Sequence, residues 1–421
     1  MKRSSLFILT LIFPTLVSAT TASMPPFYFG VANASFQVEG HPAPSDWFDW
    51  THSPGKIADQ TNADLSTDFW NRYQEDFDWA NKLGANAFRL SLAWERIEPS
   101  PGVFDEAVLK HYDQILLSMR QKGMEPFVTL QHFVLPGWLA RRGGILAGDF
   151  PRIFADYARR MAMHFSHSPA KVKMWITFNE PTILAFESYI LGQWPPGEKD
   201  HPEKAYLAVR HFAEAHNLAS TLMKTVAPHI WIGVAHHYRL VEPVSDRLDD
   251  KVAASIADYF YNRIFLDAIT RSGATDYIGF NYYGRSIVGI ESHFPFFRSF
   301  PGSEPRKSDL GWEVYPQGIY ESLRLLNRYK LPLIVTENGV ADRNDRLRSD
   351  FLREHVAYVM KARNEGIPVF GYLHWSLTDN FEWALGLGPR FGFLEMNYET
   401  LTRSPRPSFW AYRDLIHSYK H

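Results

Sequence analysis

The sequence predicts an α/β fold, a closed (β/α)8 barrel of the TIM type, forming a single domain with its active site at the C-terminal ends of the strands. Three observations point to it. Eight short apolar runs recur along the 421 residues, with little of the alternation of half-exposed strands, as suits strands buried on both faces of a parallel sheet. Amphipathic helical patterns separate these runs. No Gly-x-Gly-x-x-Gly loop follows the first run, which counts against the runner-up, an open doubly wound sheet.

The apolar runs occupy residues 27–32, 87–90, 124–130, 172–177, 230–234, 277–280, 333–335 and 369–373. Helical patterns cover 68–83, 106–122, 151–167, 203–226, 252–269, 315–329 and 349–365. Several end at Gly84, Gly123 or Gly366, because glycine accepts the left-handed backbone of a helix stop. The seventh opens on Ser349 as a candidate cap. No repeat or low-complexity linker divides the chain. Cysteine is absent, which removes disulfides, thiolate-bound zinc and a cysteine nucleophile. A net charge of -2 and the lack of any dense Lys/Arg run argue against nucleic acid as a partner.

Ahead of the barrel, Lys2 and Arg3 precede an apolar stretch over 6–17 and then Ser18-Ala19. A positive start, a short apolar core and small residues at the cut describe a signal peptide. Residues 1–19 are therefore expected to be a leader and 25–421 the catalytic domain, exported to a periplasm or secreted. Pro14 and the shortness of the run argue against a membrane span, which needs ~20 apolar residues. No span is expected once the leader is removed.

In such a barrel the chemistry gathers where strands end. The first run leads into Gln37, the second carries Arg89, and the third ends at His132-Phe133. The fourth ends in Asn179-Glu180-Pro181, the sixth in Asn281-Tyr282-Tyr283, the seventh in Glu337-Asn338-Gly339 and the eighth in Trp375. Glu180 and Glu337 stand on strands nearly opposite in the ring, so both carboxyls can face the barrel mouth. Glycoside hydrolysis needs such a pair: one carboxyl protonates the leaving oxygen, and the other attacks C1 or activates water. Amides, an imidazole and aromatic rings suit the hydroxyl edge and C–H face of a sugar. A metal site finds no ligand spacing, since adjacent His236 and His237 face opposite sides of a strand. No cofactor is implied.

The motifs that carry a resemblance are Phe29-Gly-Val-Ala32 through Gln37-Val-Glu-Gly40, Thr177-Phe-Asn-Glu-Pro181, Asp309-Leu-Gly-Trp-Glu-Val-Tyr-Pro316, Val335-Thr-Glu-Asn-Gly339 and Trp375-Ser-Leu-Thr-Asp-Asn-Phe-Glu-Trp383. In this order and spacing the chain resembles glycoside hydrolase family 1 from about Phe27 to Phe409. The resemblance implies a retaining exo-β-glycosidase of the β-glucosidase kind, with β-galactosidase or β-fucosidase activity beside it. Its substrates would be small β-glycosides or short oligosaccharides. By that likeness Glu180 is the general acid/base and Glu337 the nucleophile, with Arg89 and Tyr283 beside Glu337 and Asn281 in support. Glu180 is then expected to titrate near the working pH while Glu337 stays charged.

Asn179 is implied as partner of the sugar 2-hydroxyl. Gln37, His132, Glu382 and Trp383 match positions that bind the other hydroxyls of the cleaved sugar, and Trp375 the floor beneath it. Phe391 is either a wall residue or core packing. The aromatic segment 293–305 is either part of the aglycone wall or a loop packed on the barrel. Phe133 departs from the family's commoner Trp, which removes an indole donor and leaves the sugar's identity open. The carboxylate of Glu382 would repel a phosphorylated sugar. A transglycosidase using the same intermediate and an inactive sugar-binding barrel are the alternatives.

Overall fold

The computed structural model describes residues 25–292 and 296–420. The leader read over 1–19 lies outside the described residues, as do residues 293–295 of the aromatic segment. Eight parallel strands close into a barrel: β1 (Tyr28–Ala32), β2 (Ala87–Ser91), β3 (Glu125–Gln131), β4 (Met174–Asn179), β5 (Trp231–His237), β6 (Tyr277–Tyr282), β7 (Leu333–Asn338) and β8 (Val369–Trp375). They follow one another round the ring in chain order, β8 pairing with β1. Nearly every strand residue is buried, which is why the runs are apolar without alternation.

The lumen is filled from below by aromatic rings. Tyr28 meets Phe127 edge-on at 5.2 Å, and Tyr277 meets Phe370 at 5.5 Å. Above that plug the lumen turns polar, with Arg89 and Asn179 both buried. The barrel is a packed core with its polar chemistry concentrated at one rim.

Outside lie the helices Phe69–Leu83, Glu106–Gln121, Phe150–Phe165, Pro202–Val226, Gln317–Leu326 and Arg348–Asn364. The helix expected over 252–269 is instead two, Leu248–Asp258 and Ile264–Thr270, joined by a π turn at Tyr259–Arg263. The wider turn puts Asn262 within reach of the backbone of Arg239, with bonds of 3.0 and 2.8 Å. Ser349 does not cap its helix. That start is held by Asp342 Oδ2, which accepts from the amides of Leu347 at 2.7 Å and Arg348 at 3.2 Å.

An eighth helix, Pro407–Lys420, completes the ring and was absent from the sequence reading. Its Phe409, Tyr412 and Ile416 are fully buried, a spacing that marks one helical face. Beyond the barrel, Leu240–Pro243, Arg285–Ile290 and Phe297–Phe300 form a small sheet beside the mouth. No helix among the described residues is long and apolar enough to cross a membrane.

Candidate active site

A cavity of about 550 Å³ opens at the C-terminal rim. Gln37, His132, Asn179, Glu180, Tyr283, Glu337, Trp375, Glu382, Trp383 and Phe391 all line it. Arg89 and Asn281 lie directly behind, bonded to Glu337 and Glu180 respectively. Phe391 is buried and also lines the cavity, against Tyr283 at 6.3 Å and Trp312 at 6.3 Å. From the aromatic segment, Ser299 to Gly302 contribute wall. A separate apolar cleft near Phe186, Tyr206 and Phe260 holds no comparable polar array.

Local backbone features aim the two carboxyls. The pairing of β4 with β5 shifts register between Ile176 and Asn179, and that of β6 with β7 shifts between Val335 and Glu337. Such irregularities re-aim the side chains that follow. Glu180 adopts a left-handed conformation, φ 43°, uncommon for a residue with a Cβ. It is held there because its amide donates to Ala235 O at 2.7 Å while its carbonyl accepts from Ile183 and Leu184. Pro181 then begins the helix Pro181–Tyr189. Gly339 has a different reason: a Cβ there would stand 1.9 Å from Trp375 O.

Glu337 accepts from Arg89 Nη1 and, at 2.8 Å, from the Tyr283 hydroxyl. Glu180 Oε1 accepts from Asn281 Nδ2 at 2.6 Å and lies 3.3 Å from His237 Nδ1. Arg89 has only donors, so the Asn179 oxygen must face its Nη2 at 2.7 Å, and Asn281 donates to that same oxygen at 3.1 Å. Asn179 Nδ2 therefore donates to His132 Nε2 at 3.0 Å. His132 is consequently the Nδ1–H tautomer, and burial holds its pKa well below the ordinary histidine value. Its Nδ1 and the Oε1 of Gln37 have no partner within the protein among the described residues. A buried donor and acceptor in this state are costly, and a polyhydroxylated ligand would pair both.

Burial and the neighbouring carboxylates push Glu337 up to about 7 and Glu382 up to about 8. Burial thus opposes ionisation of Glu382, which weakens the repulsion of phosphate expected from its carboxylate. For Glu180 burial also raises the pKa, but His237, Asn281 and Arg89 together bring it below the ordinary value. That lowering depends on a charge at His237, which was set aside with His236 as a non-ligand. When His237 is neutral, the remaining asymmetry is Arg89, a cation at every relevant pH, which favours ionised Glu337.

The wall beyond the carboxyls was not foreseen in detail. Trp194 packs against Phe133 at 4.7 Å, and Glu187, Arg239 and Arg285 border the outer cavity. Burial pushes Glu187 up to about 7. Trp194 and Arg239 sit in loops, Glu187 on the helix Pro181–Tyr189 and Arg285 at the start of an outer strand, none within a sequence motif. No group of three or more His, Asp or Glu among the described residues is arranged to hold a metal ion.

The chain matches the model of glycosyl hydrolase family 1 over residues 21–297 and 272–421. It is 32% identical to β-glucosidase A of Thermotoga maritima, across 93% of this chain and 96% of that protein. To the β-galactosidase of Pyrococcus woesei it is 31% identical, across 93% and 96%. The structure of a β-glucosidase from Thermotoga maritima in complex with glucoimidazole superposes with a TM-score of 0.87 at 30% identity, covering 94% of this chain and 99% of that one. With the barrel and its carboxyl-lined cavity, these likenesses show that the chain belongs to glycosyl hydrolase family 1 and is a retaining β-glycosidase.

Proposed function

We propose that Glu337 is the nucleophile and Glu180 the acid/base of a double displacement that removes terminal non-reducing β-linked sugars. Glu337 attacks C1, the C1–O bond breaks, and the leaving oxygen takes the proton of Glu180. Water then yields a proton to Glu180 and attacks C1, the bond to Glu337 breaks, and the β configuration is restored. The observation that carries this reading is the pair of unlike holders: Arg89 and Tyr283 on Glu337, Asn281 and His237 on Glu180. A fixed cation and a phenol suit an anion that must attack. An amide and an imidazole, neither a fixed cation, suit a group that must both give and take a proton.

Asn179 has a second amide hydrogen for the 2-hydroxyl. Gln37, His132, Glu382 and Trp383 take the remaining hydroxyls over a Trp375 floor, and Phe391 closes the wall beside Tyr283. Glucosides are the leading substrates, with galactosides and fucosides accepted beside them. Two features support this breadth: relatives named for either sugar, and Phe133, which packs on Trp383 at 5.0 Å and offers no donor to discriminate between hydroxyl patterns. The charge and apolar pattern of 1–19 supports export with removal of that leader. N-terminal sequencing of protein recovered outside the cytoplasm tests it.

Glu337→Gly is expected to abolish turnover of 4-nitrophenyl β-glucoside, with added azide yielding the α-glycosyl azide. Hydrolysis near the wild-type rate would remove Glu337 from this role. For Glu180→Ala the loss is expected to be much larger with alkyl or sugar leaving groups than with activated aryl ones. Uniform loss would show that Glu180 is not the acid.

A further inference from the structure

Adjacent on β5, His236 and His237 face opposite ways, and only one reaches the cavity. His236 points outward onto Phe265, ring centroids 5.9 Å apart. His237 lines the cavity, its ring nearly parallel to that of Tyr283 at 6.1 Å and its Nδ1 3.3 Å from Glu180 Oε1.

The direction of each hydrogen bond here follows from Arg89. Its guanidinium orients the amide of Asn179, which in turn orients that of Asn281, whose Oδ1 accepts from Thr336 Oγ1 at 2.7 Å. Asn281 must then donate to Glu180 Oε1, so Oε1 is an acceptor. His237 approaches the same oxygen and meets it as an Nδ1–H donor. The hydrogen bonds that the protein gives to this carboxyl fall on Oε1. We propose that His237 is a positioning residue for Glu180: together with Asn281 it makes Oε1 the accepting oxygen, so that the exchangeable proton resides on Oε2.

A fixed protonation site spares the enzyme a search among carboxyl rotamers at each half-reaction. It also eases the change of role, since a donor on Oε1 stabilises the carboxylate that forms when the proton leaves. The charged groups around the pair are few. They are Glu187 on the helix after Glu180, Arg239 and His236 on the segment of His237 itself, Tyr283 after β6, Glu337 with Arg89 across the mouth, and Glu382 in the same cavity. None of these hydrogen-bonds to the carboxyl of Glu180; among the described residues those bonds come from His237 and Asn281.

The proposal rests on Glu180 being the acid/base, and the experiment separates the two. Profiles of kcat/KM against pH are measured with cellobiose and with 2,4-dinitrophenyl β-glucoside for wild type, His237→Phe, His237→Gln and Glu180→Ala. His237→Phe keeps a ring on Tyr283 but has no donor. It is expected to lose about 10- to 100-fold on cellobiose and under about threefold on the activated substrate. Loss of a donor raises the carboxyl pKa, so its basic limb moves to higher pH by about one unit. His237→Gln, which still donates, restores the cellobiose rate. Should the Phe variant not fold, His237→Ala takes its place, with added imidazole expected to restore turnover of cellobiose but to leave the activated substrate unchanged. Equal losses on both substrates, or a basic limb that stays in place without the donor, overturn the proposal. If Glu180→Ala loses activity selectively on cellobiose while the His237 variants do not, His237 alone is refuted. If Glu180→Ala shows equal losses, both assignments fall.

Discussion

Glu337, the proposed nucleophile, is held by Arg89 and by Tyr283, and the second of these can be removed cleanly. Tyr283→Phe deletes the 2.8 Å hydrogen bond to Glu337 Oε2 while keeping the ring against Trp312 and Phe391. A hydrogen bond to a charged group contributes about 1.5–3 kcal/mol, so kcat/KM should fall roughly 10- to 100-fold. That donor lowers the pKa of Glu337, so without it the pKa rises further. In the proposed role Glu337 must be ionised to attack, and the acidic limb of the kcat/KM profile should therefore move to higher pH. An acidic limb unchanged in the variant would mean that Tyr283 does not tune Glu337. Most of the residues at this scale were legible as types at strand ends: Gln37, Arg89, Asn179, Glu180, Glu337 and Trp375 follow directly from the apolar runs. Glu382, Trp383 and Phe391 were legible only through motif likeness, because they stand on a loop with no periodicity to place them. His237 was visible as a residue but not as a partner, since its distance to Glu180 spans 57 positions of sequence.

Between strand and loop, the Thr-Glu-Asn-Gly motif acts as one brace. Thr336 bonds Asn281, Asn338 Nδ2 donates to Tyr282 O at 2.6 Å, and Tyr372 donates to Asn338 Oδ1 at 2.7 Å. Gly339→Ala would press a methyl into the carbonyl of Trp375 and displace either the end of β7 or the floor of the cavity. A displacement near 1 Å costs about 100-fold in rate, and kcat should fall by that order in steady-state assays. The eighth helix makes a contrasting case. Tyr412 is fully buried, does not line the cavity, and reaches Gly30 O of β1 at 3.2 Å. Tyr412→Ala should cost about 3–5 kcal/mol of stability, seen in denaturant unfolding, while kcat/KM stays near wild type at temperatures where the variant is folded. This helix escaped the sequence reading although Pro407 and the spacing of Phe409, Tyr412 and Ile416 signal it. Its neighbouring run of aromatic and basic residues blurs the apolar stripe.

For the molecule as a whole, buried acids and buried histidines pull stability in opposite directions with pH. Burial pushes Asp46 up to about 7 and Glu95 up to about 8, in the same sense as Glu187, Glu337 and Glu382. The unfolded chain releases these protons from about pH 4 and the folded chain only near pH 7 to 8, so stability falls as pH rises between those limits and levels off above about pH 8. Burial holds His216, His236 and His355 down to about 3. Below about pH 6.5 the unfolded chain charges these groups and the folded chain does not, so stability falls in that direction too. Between about pH 4 and 6.5 these two slopes oppose each other and above about pH 6.5 only the acids act, so calorimetry should find Tm declining from about pH 6.5 to 8 and level beyond. Glu95→Gln should flatten the alkaline decline, and an unchanged slope would show that Glu95 ionises in the fold as it does in water.

The sequence by itself determined the barrel and the identity of its rim chemistry, because both depend on local pattern. An apolar run buried on two faces looks the same wherever it sits, and the residue after it inherits the rim. Only the tertiary structure decided how the carboxyls are used. Register shifts before Asn179 and Glu337 aim them, the left-handed turn at Glu180 is held by Ala235 of the next strand, and Arg89 dictates the amide orientations that make His132 a donor. The proton preferences of Glu180 and Glu337 belong to the same category. A carboxyl's pKa is set by burial and by charges a few ångströms away through space, and those charges come from strands far apart in the chain.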